Sequence, residues 1–314
     1  MIFIDEFQIA VAATYDKWII AMEEALAAIT DGSVKVPKRI HIDLGKDTLL
    51  LMPAIGKDYF ATKLVTFFPH NSWENKPSIY GTLILNDRKT GEPLAVIDGS
   101  KLTAMRTAAV SGIGIKYMSD EKASSLGIIG AGIQGFHQAL FACSQREISK
   151  LYVYDNRREL TGRFCSELRK IYPRIKIAPS SDIKELCEKS EIIITATNSF
   201  SPVLPSEKAY LEGKTIIAIG SYKKEMRELP DELFSLVDYV FFDTEHGLSE
   251  SGDLIYPLNN ALIRADKFYP VHDLITGKVK PKSSTRLFKT VGFAAFDLYA
   301  AILVYNASVV ANQY

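Results

Sequence analysis

The chain has 314 residues, 47% of them hydrophobic and 24% charged, a composition typical of a globular protein with room for two domains. Its 37 basic and 37 acidic residues cancel, which argues against nucleic acid or an anionic membrane as the partner. The three cysteines are irregularly spaced and form neither a metal pair nor a disulfide framework. The N-terminal segment carries Asp5 and Glu6 where a signal peptide would be basic. We therefore expect a cytoplasmic protein.

The first part of the chain predicts a helix followed by a mostly antiparallel sheet. Residues 6–30 repeat apolar side chains at helical spacing. Between residues 36 and 100, turn residues divide the apolar or alternating runs RIHIDL, TLLLMPAI, FATKLVTFF, IYGTLILND and PLAVID. The segment NDRKTGEP predicts a hairpin turn, and residues 101–118 predict a helix rich in small residues.

After residue 120 the pattern changes to strands that alternate with helices, which is typical of βαβ units and a parallel sheet. The predicted strands are SSLGIIG, KLYVYD, IKIA, EIIITAT, KTIIAIG and YVFFDT. This change of pattern predicts a domain boundary between residues 119 and 120.

The apolar segment 291–311 is about long enough to span a bilayer. Asp297 and Asn306 interrupt it, and a charged residue inside a membrane is costly. We therefore expect a helix that packs within the protein or across a subunit interface, and no membrane span. The predicted domains are then 1–119, completed by 293–314, and 120–292.

Three glycines, Gly130, Gly132 and Gly135, have the spacing G-x-G-x-x-G between a predicted strand and a predicted helix. In that context Gly130 permits a tight turn, Gly132 lets the backbone approach a pyrophosphate, and Gly135 lets helix and strand pack closely. A glycine-rich turn without a nucleotide is the alternative. The pattern predicts an α/β fold with a Rossmann-type doubly wound parallel sheet for residues 120–292, beside an α+β domain.

The choice between NAD and NADP depends on the end of the second predicted strand. Asp155 lies about twenty residues past Gly135 and would accept hydrogen bonds from the ribose hydroxyls, which favours NAD. Arg157 and Arg158 follow at once and could instead hold a 2′-phosphate, so NADP is possible.

Two later strand ends carry polar residues at the edge where ligands of open α/β sheets bind. The segment TATNS places Thr195, Thr197, Asn198 and Ser199 there, and AIGSY places Gly220, Ser221 and Tyr222 there. These residues could line the nicotinamide and its ribose. Ordinary turn chemistry is the alternative, because Asn, Ser and Gly favour turns.

The substrate side is expected from cations in the first domain. Arg106 lies in a helix of small apolar residues, where a guanidinium needs a carboxylate or phosphate partner. Lys63 lies in an apolar strand, where burial would lower its pKa. Arg39 precedes the strand IHIDL. Each could instead form a structural ion pair or point to solvent, but the three together favour an anionic substrate.

Other kinds of site have no support in the sequence. The five histidines have no metal-ligand spacing, and there is no Ser-His-Asp motif, Walker lysine or C-x-x-C. His137, in the helix after the glycines, is expected to pack or to face solvent. The mixed-charge segment SYKKEMRELPDE is expected to be a solvated loop or helix start.

These residues together resemble the ornithine cyclodeaminase/μ-crystallin family, which includes alanine dehydrogenase-like and ketimine reductase members. The resemblance covers nearly the whole chain and rests on stretches such as PKRIHIDL, TKLVTFFPHN, LTAMRTAAVSG, GIIGAGIQG and TVGFAAFDLYAA. It implies a homodimer whose N-terminal domain, completed by the C-terminal helix, supplies the dimer contact and the substrate site.

By position, the resemblance also implies roles for single residues. Arg39, Lys63 and Arg106 correspond to the set that binds the substrate carboxylate, with Lys63 and Arg106 at the chemistry. For the cofactor it implies Thr82, Gly130, Gly132, Ile133, Gln134, Asp155, Thr197, Ser221 and Val291, to which the glycine motif and the strand ends described above add Gly135, Arg157, Thr195 and Gly220. No metal is implied.

One position departs from the family pattern. True cyclodeaminases carry an aspartate two residues after the glycine that ends the IIAIG strand, and here that residue is Tyr222. A phenol is a poor base at neutral pH, and Glu225 or Glu228 could replace it only by pointing inward.

The expected function is NAD(P)-dependent hydride transfer at the C–N bond of a small α-amino or α-imino acid. Amino-acid dehydrogenation and cyclic ketimine reduction both fit this description. The alternatives are ornithine cyclodeaminase, which converts L-ornithine to L-proline and ammonia, and a non-enzymatic binding protein like μ-crystallin.

Overall fold

The computed structural model describes residues 1–74 and 76–311, apart from the side chains of Ser72 and Trp73. The helices, in chain order, are α1 Glu6–Val11, α2 Tyr15–Thr30, α3 Gly99–Met118, α4 Ile133–Gln145, α5 Arg158–Ile171, α6 Ile183–Lys189, α7 Gly247–Glu250, α8 Gly252–Asn259, α9 Val271–Ile275 and α10 Ala294–Ala311. The strands are β1 Ile2–Ile4, β2 Ile40–Leu44, β3 Asp47–Ile55, β4 Tyr59–Phe67, β5 Ile79–Asp87, β6 Pro93–Asp98, β7 Ser125–Ile129, β8 Lys150–Tyr154, β9 Lys176–Pro179, β10 Ile192–Thr195, β11 Thr215–Ala218, β12 Val240–Phe242, β13 Phe268–Pro270 and β14 Arg286–Lys289.

The chain forms two compact units. Unit 1 comprises Met1–Arg106 and Phe293–Tyr314, of which residues 312–314 lie outside the described part, and unit 2 comprises Thr107–Gly292. The first division falls inside α3, whereas the sequence pattern predicts it after that helix. The repeat of apolar residues changes where a helix ends, so the sequence places the boundary at the end of α3. The repeat stays the same within α3, although the first residues of this helix belong to unit 1 and the rest to unit 2.

The helical segment 6–30 is interrupted, although its spacing predicts one helix. Asp5 caps α1, its side chain accepting a hydrogen bond from the backbone of Gln8, and α1 ends at Val11. Thr14 then adopts an extended conformation and begins α2. Threonine favours this N-cap position because its side chain competes with helical backbone bonding.

Unit 1 contains a six-stranded sheet in the order β1-β6-β5-β4-β3-β2. The neighbours from β2 to β6 are antiparallel, as the sequence predicts, and β1 adds to β6 in parallel. The predicted β5–β6 hairpin turn is present: Asp87 accepts from the backbone and hydroxyl of Thr90, and Gly91 has φ +78°. Positive φ at this position favours glycine.

Helix α10 packs against α2, β3 and β4 of unit 1. Among the described residues it is the one helix with the length and hydropathy of a membrane span. Its buried side includes Phe296, Leu298 and Val304, together with the ionisable Asp297. Packing of this apolar helix builds the core of unit 1 on one face of the sheet.

Unit 2 contains an eight-stranded sheet in the order β13-β12-β14-β11-β10-β7-β8-β9, with all neighbours parallel. The chain runs outward from β7 through β8 and β9, and then returns to place β10 on the other side of β7. This is the doubly wound order of Rossmann-type sheets, whose ligands bind at the carboxyl ends of the strands beside that reversal. The predicted fold class is therefore confirmed.

Candidate functional site

The glycine loop lies between β7 and α4, at the reversal of strand order. Gly130 has φ +105°, and a Cβ there would overlap the carbonyl oxygen of Ala196 after β10. A Cβ on Gly135 would overlap the carbonyl oxygen of Gly130 itself. Gly130 and Gly135 are therefore required by close packing of the backbone, whether or not a ligand is bound.

Gly132 differs from the other two glycines. It is the exposed N-cap of α4, with φ −81°, and no atom lies within 4 Å of the position a Cβ would occupy. Nearby, Ile133 is 74% exposed and Oε1 of Gln134 is buried without a hydrogen-bond partner in the described part of the chain. An open glycine at the positive end of a helix fits a dinucleotide pyrophosphate.

Asp155, directly after β8, is tied to the glycine loop. One carboxylate oxygen accepts from the backbone of Ala131 at 2.9 Å, and the other accepts from the backbone of Arg157 at 2.9 Å. Nε of Arg157 lies 3.7 Å from the same carboxylate, and the Arg157 side chain is 65% exposed. The acidic group is thus fixed beside the loop, while the arginine is open to solvent.

An open cavity of about 350 Å³ lies beside this corner of unit 2. Its walls come from the end of β8, the start of α6 and the chain after β10, and its lining residues are Tyr154, Asp182, Ile183, Lys184, Val203, Leu204 and Pro205. The lining is mostly apolar, and Tyr154 directly precedes Asp155 in the chain, which suits the base of a nucleotide.

The ends of β10 and β11 are joined by Glu228, which is fully buried. Its Oε1 accepts from the backbone and hydroxyl of Thr197 at 2.7 and 2.8 Å. Its Oε2 accepts from the hydroxyl of Thr195 at 2.9 Å and from the backbone of Gly220 at 2.7 Å. The fully buried Thr195 hydroxyl therefore supports the loop, whereas Thr197 is half-buried. The sequence predicts a solvated loop or helix start around residue 228. For Glu228 this prediction is wrong, because its buried carboxylate accepts four hydrogen bonds within the protein.

The residues after β11 and β14 are also fixed by hydrogen bonds. Ser221 is fully buried, and its hydroxyl donates to the carbonyl of Met226 at 2.6 Å. Asp243 Oδ2 accepts from the backbone of Val291 at 2.9 Å and of Gly292 at 2.7 Å. The predicted nicotinamide surround, Thr197, Ser221 and Val291, thus lies on rigid supports at the carboxyl edge of the sheet.

Unit 1 carries a second group, in which three ionisable side chains meet in the interior. Nζ of Lys63 on β4 lies 2.7 Å from Oδ2 of Asp297, and Nε of Arg106 donates to Oδ1 at 2.9 Å. Lys63 also donates to the hydroxyl of Thr103 at 3.3 Å. Lys63, Arg106 and Asp297 are only 3%, 6% and 1% exposed. The outward-facing alternative for Lys63 is therefore excluded.

Two cations share one carboxylate in this cluster, which leaves it with a net positive charge. Burial lowers the pKa of Lys63 to about 8, against the effect of Asp297, and the charges of Arg106 and Arg39 lower it further. Burial by itself would raise the pKa of Asp297, but Arg106 and Lys63 outweigh it and hold that pKa below its ordinary value. Such a cluster can accept a second carboxylate and can exchange a proton near neutral pH.

The remaining predicted residues of unit 1 divide between the two faces of the sheet. Arg39 is half-buried just before β2, within electrostatic reach of Lys63. Thr82 on β5 is exposed and pairs with Leu64, the neighbour of Lys63. Because consecutive strand residues point to opposite faces, Thr82 lies on the face away from Lys63. Arg39 therefore belongs with the cluster, and Thr82 does not.

Three further residues that the sequence analysis discusses, Tyr222, Glu225 and His137, belong neither to the cofactor side in unit 2 nor to the ionisable cluster in unit 1. Tyr222 is 47% exposed and Glu225 is exposed. His137 packs within α4, where its Nδ1 lies 2.8 Å from the carbonyl of Ile133. In the described residues no group of three or more His, Cys, Asp or Glu side chains could hold a metal ion.

Two important side chains have a role in the structure that the sequence does not assign to them, although it raises Glu228 as a candidate base. Asp297 reads only as an interruption of an apolar segment, although one acid in an apolar helix is the natural partner of two buried cations elsewhere. Glu228 is hidden by its charged neighbours. The apolar Met226 and Leu229, which are both buried, are the available signal that this segment turns inward.

The sequence model of the "Ornithine cyclodeaminase/mu-crystallin family" matches residues 3–312. A Delta(1)-pyrroline-2-carboxylate reductase of Bacillus thuringiensis is 33% identical over 84% of this chain and 82% of its own. The ketimine reductase mu-crystallin of Rattus norvegicus is 33% identical over 91% of this chain and 90% of its own.

Solved structures match over the whole length. The Thermococcus litoralis Delta(1)-pyrroline-2-carboxylate reductase in complex with NADH and L-proline has a TM-score of 0.91 and 31% identity, covering 99% of this chain and 98% of that one. An archaeal alanine dehydrogenase dimer with bound NAD has a TM-score of 0.88 and 25% identity, covering 99% and 96%.

Proposed function

The chain belongs to the ornithine cyclodeaminase/mu-crystallin family, and from that premise we propose that it is an NAD(P)-dependent oxidoreductase acting at the C–N bond of a cyclic α-imino acid. The observation that carries the proposal is the buried Lys63–Arg106–Asp297 cluster, whose net positive charge suits a substrate carboxylate. The names of the relatives support pyrroline-2-carboxylate and related ketimines as the substrate class.

Unit 2 holds the dinucleotide in this proposal. The open Gly132 at the start of α4 receives the pyrophosphate, and Asp155 lies where the adenosine ribose is read. Thr197, Ser221 and Val291 lie nearest the nicotinamide end. When bound, the reduced nicotinamide supplies the hydride that the imino carbon accepts. Asp155 supports NADH, and the exposed Arg157 is compatible with NADPH.

Unit 1 holds the substrate. Arg106 uses Nε for Asp297, and its two terminal nitrogens form no hydrogen bond within the described residues, which suits bidentate binding of a carboxylate. Lys63, with a pKa of about 8, carries a proton at neutral pH and can give it to the substrate nitrogen. Asp297 keeps both cations in place.

Ornithine cyclodeaminase is less well supported by the contacts. Tyr222 is exposed where the cyclodeaminases have an aspartate, and the carboxylate of Glu228 is occupied by four donors. Glu225 faces solvent. No carboxylate among these three positions is available as the base for a distal amine.

The test is consumption of NADH and NADPH, followed by absorbance, with pyrroline-2-carboxylate, piperideine-2-carboxylate and a panel of L-amino acids. We expect the cyclic imines to be reduced, and Lys63→Met to lower kcat/KM about 100-fold or more. Lys57→Met, the same change at an exposed position before β4, should leave it unchanged.

Three results would contradict the proposal. If the protein binds NAD(P)H and a cyclic imino acid tightly but consumes no NAD(P)H, a binding protein like mu-crystallin would be favoured. Proline formed from ornithine without net change in NADH would favour a cyclodeaminase. Full activity of Lys63→Met would remove Lys63 from the chemistry.

We further propose that the protein is a homodimer formed through unit 1. One face of the six-stranded sheet exposes apolar side chains in register, although α10 covers the other face: Phe3, Ile40, Ile42, Leu64, Tyr80 and Ile84, all between 38% and 67% exposed. A contiguous apolar face of this kind is typical of a subunit interface. The archaeal alanine dehydrogenase of the same fold is described as a dimer.

A cytoplasmic location is part of the same proposal. It is supported by the cysteines, which are unpaired, and by burial, which raises the pKa of the Cys143 and Cys187 thiols to about 12. Such thiols are inert and unsuited to disulfide chemistry.

A further inference from the structure

Unit 2 contains three fully buried ionisable side chains to which the proposed chemistry gives no part. Glu228, Asp253 and Lys289 are 0%, 1% and 0% exposed. They come from the segment after β11, from α8 and from the end of β14. Burial of charged groups is costly, so their retention calls for a role.

The carboxylate of Glu228 connects two strand ends. Through Oε2 it joins the hydroxyl of Thr195, at the end of β10, to the backbone of Gly220, just after β11. Through Oε1 it holds both the backbone and the hydroxyl of Thr197. Only an ionised carboxylate offers acceptors for four donors, because an amide would turn its NH₂ towards at least one of them.

The main chain of Glu228 holds a third segment. Its carbonyl accepts from the backbone of Val203 at 2.9 Å, and Val203 lines the cavity beside Asp155. The preceding residue, Arg227, donates its backbone N–H to the carbonyl of Ser199 at 3.2 Å. Residue 228 thereby links the nicotinamide side of the loop after β10 to the cavity side.

Asp253 fixes the backbone of Glu228, and Lys289 lies next to Asp253. Oδ1 of Asp253 accepts from the backbone of Glu228 at 2.8 Å and of Leu229 at 3.0 Å. Nζ of Lys289 lies 4.0 Å from Oδ2 of Asp253 and donates to the carbonyl of Thr290 at 3.3 Å. Burial raises the pKa of Asp253 to about 6, against the opposing charge of Lys289, with Glu228 adding to the rise. The ends of β10, β11 and β14 are therefore held by one buried network.

We propose that Glu228 is a positioning residue for the nicotinamide half of the cofactor, which it serves by clamping the ends of β10 and β11 so that Thr197 and Gly220 keep a fixed geometry. This inference rests on the proposed function. The adenosine half depends on a different set of groups, namely the glycine loop, Asp155 and the cavity walls.

The proposal predicts an effect that differs between two ligands. Glu228→Gln should weaken the binding of NADH at least about tenfold, because it removes charge-assisted hydrogen bonds from the nicotinamide side. It should leave the binding of ADP-ribose, which lacks the nicotinamide, within about twofold of wild type, since the Glu228 carboxylate bonds to Thr195, Thr197 and Gly220 and to no residue of the glycine loop or the cavity walls. Calorimetric or fluorescence titration measures both constants without turnover. Glu212→Gln, at an exposed position in the turn before β11, is the matched control and should change neither.

A second variant covers the case in which Glu228→Gln does not fold. Thr195→Val keeps the shape of a fully buried side chain and removes one donor to Oε2. It should show the same selective loss, at about three- to tenfold for NADH. Thermal unfolding of each variant shows whether the protein remains folded during the titrations.

The outcomes separate this inference from the proposed function. If the wild-type protein binds neither NADH nor ADP-ribose, the proposed function and the positioning role of Glu228 are both overturned. If it binds both ligands, and the variants bind both as tightly as wild type or lose both in parallel, only the positioning role is overturned. A loss confined to NADH supports it.

Discussion

At the scale of single residues, two features of the surroundings of Lys63 have opposite effects on its pKa. It is fully enclosed, which favours the neutral amine, and it contacts Asp297, which favours the ammonium. Burial prevails, and the pKa falls to about 8. The amine is therefore charged when the substrate arrives at neutral pH and is able to give up its proton afterwards.

This pKa predicts how binding of a carboxylate depends on pH. Pyrrole-2-carboxylate is a planar probe whose charge is constant across this range. Its affinity should be highest below pH 8 and should fall severalfold between about pH 7 and about pH 9.5, as Lys63 loses its proton. Titration of the probe at fixed NADH measures the effect.

The control is Lys63→Arg, whose guanidinium stays charged throughout that range and should give a flat profile. An unchanged fall near pH 8 in Lys63→Arg would show that another group is responsible.

Gly220 illustrates a different lesson at the same scale. The sequence indicates it as a cofactor contact, because it ends a strand at the binding edge. In the structure a Cβ there would overlap both the carbonyl of Thr197 and the carboxylate of Glu228. The glycine is thus needed by the clamp itself, and a direct cofactor contact at this position stays a prediction.

At the scale of elements, the end of α3 depends on one distant side chain. Arg146, directly after α4, donates to the carbonyls of Ile115, Lys116, Ser119 and Asp120 at 2.9 to 3.0 Å. Ile115 and Lys116 belong to the last turn of α3, where helix carbonyls lack partners within the helix, and Ser119 and Asp120 follow its end. A guanidinium can serve several of them at once, since its donors form a rigid fork.

We expect Arg146→Met to lower the free energy of unfolding by about 1.5–3 kcal/mol, the value of hydrogen bonds to a charged group. Arg146→Lys should recover part of the loss through its charge alone. Arg174→Met, at an exposed position, should change stability by less than about 0.5 kcal/mol. Denaturant unfolding measures all three, and equal stability of Arg146→Met and Arg174→Met would contradict the capping role.

The elements that the sequence predicts are those whose pattern is local. The strands of both sheets from β2 to β12 follow alternation or apolar runs, and the turns follow Gly, Pro, Asn and Asp. The sequence does not predict β13, whose three residues end in a proline, or β14, whose two apolar residues make no longer run. In β14 a basic residue stands at each end, and nothing local shows that Lys289 is buried there.

At the scale of the whole molecule, the same limit applies to the site. The glycine spacing and Asp155 lie within one βαβ unit, so the dinucleotide loop can be read from the sequence alone. The pairing of Lys63 with Asp297 joins a strand near the N-terminus to the last helix, and no local pattern encodes it. The sequence therefore predicts the type of site, but it does not predict that Asp297 is the ion-pair partner of Lys63 and Arg106.

The proposed dimer gives a prediction at this scale. Leu64→Lys combined with Ile84→Lys places two charges on the open apolar face of the unit 1 sheet, and desolvating them on association would be costly. We expect this variant to be monomeric where the wild-type protein is dimeric, as measured by light scattering.

The matched control is Ile20→Lys, on α2, whose side chain is 47% exposed. It should dimerise like the wild type. A Leu64→Lys, Ile84→Lys protein that remained dimeric would exclude this face as the interface.

The unequal surroundings of the three glycines separate what the empty protein needs from what the ligand needs. Alanine at Gly130 would collide with the backbone of Ala196 and alanine at Gly135 with that of Gly130, whereas alanine at Gly132 would meet no atom within 4 Å. Alanine at position 132 should therefore leave the stability of the nucleotide-free protein near that of wild type and weaken only the binding of the nucleotide, whereas alanine at either neighbouring glycine would lower the stability of the empty protein as well.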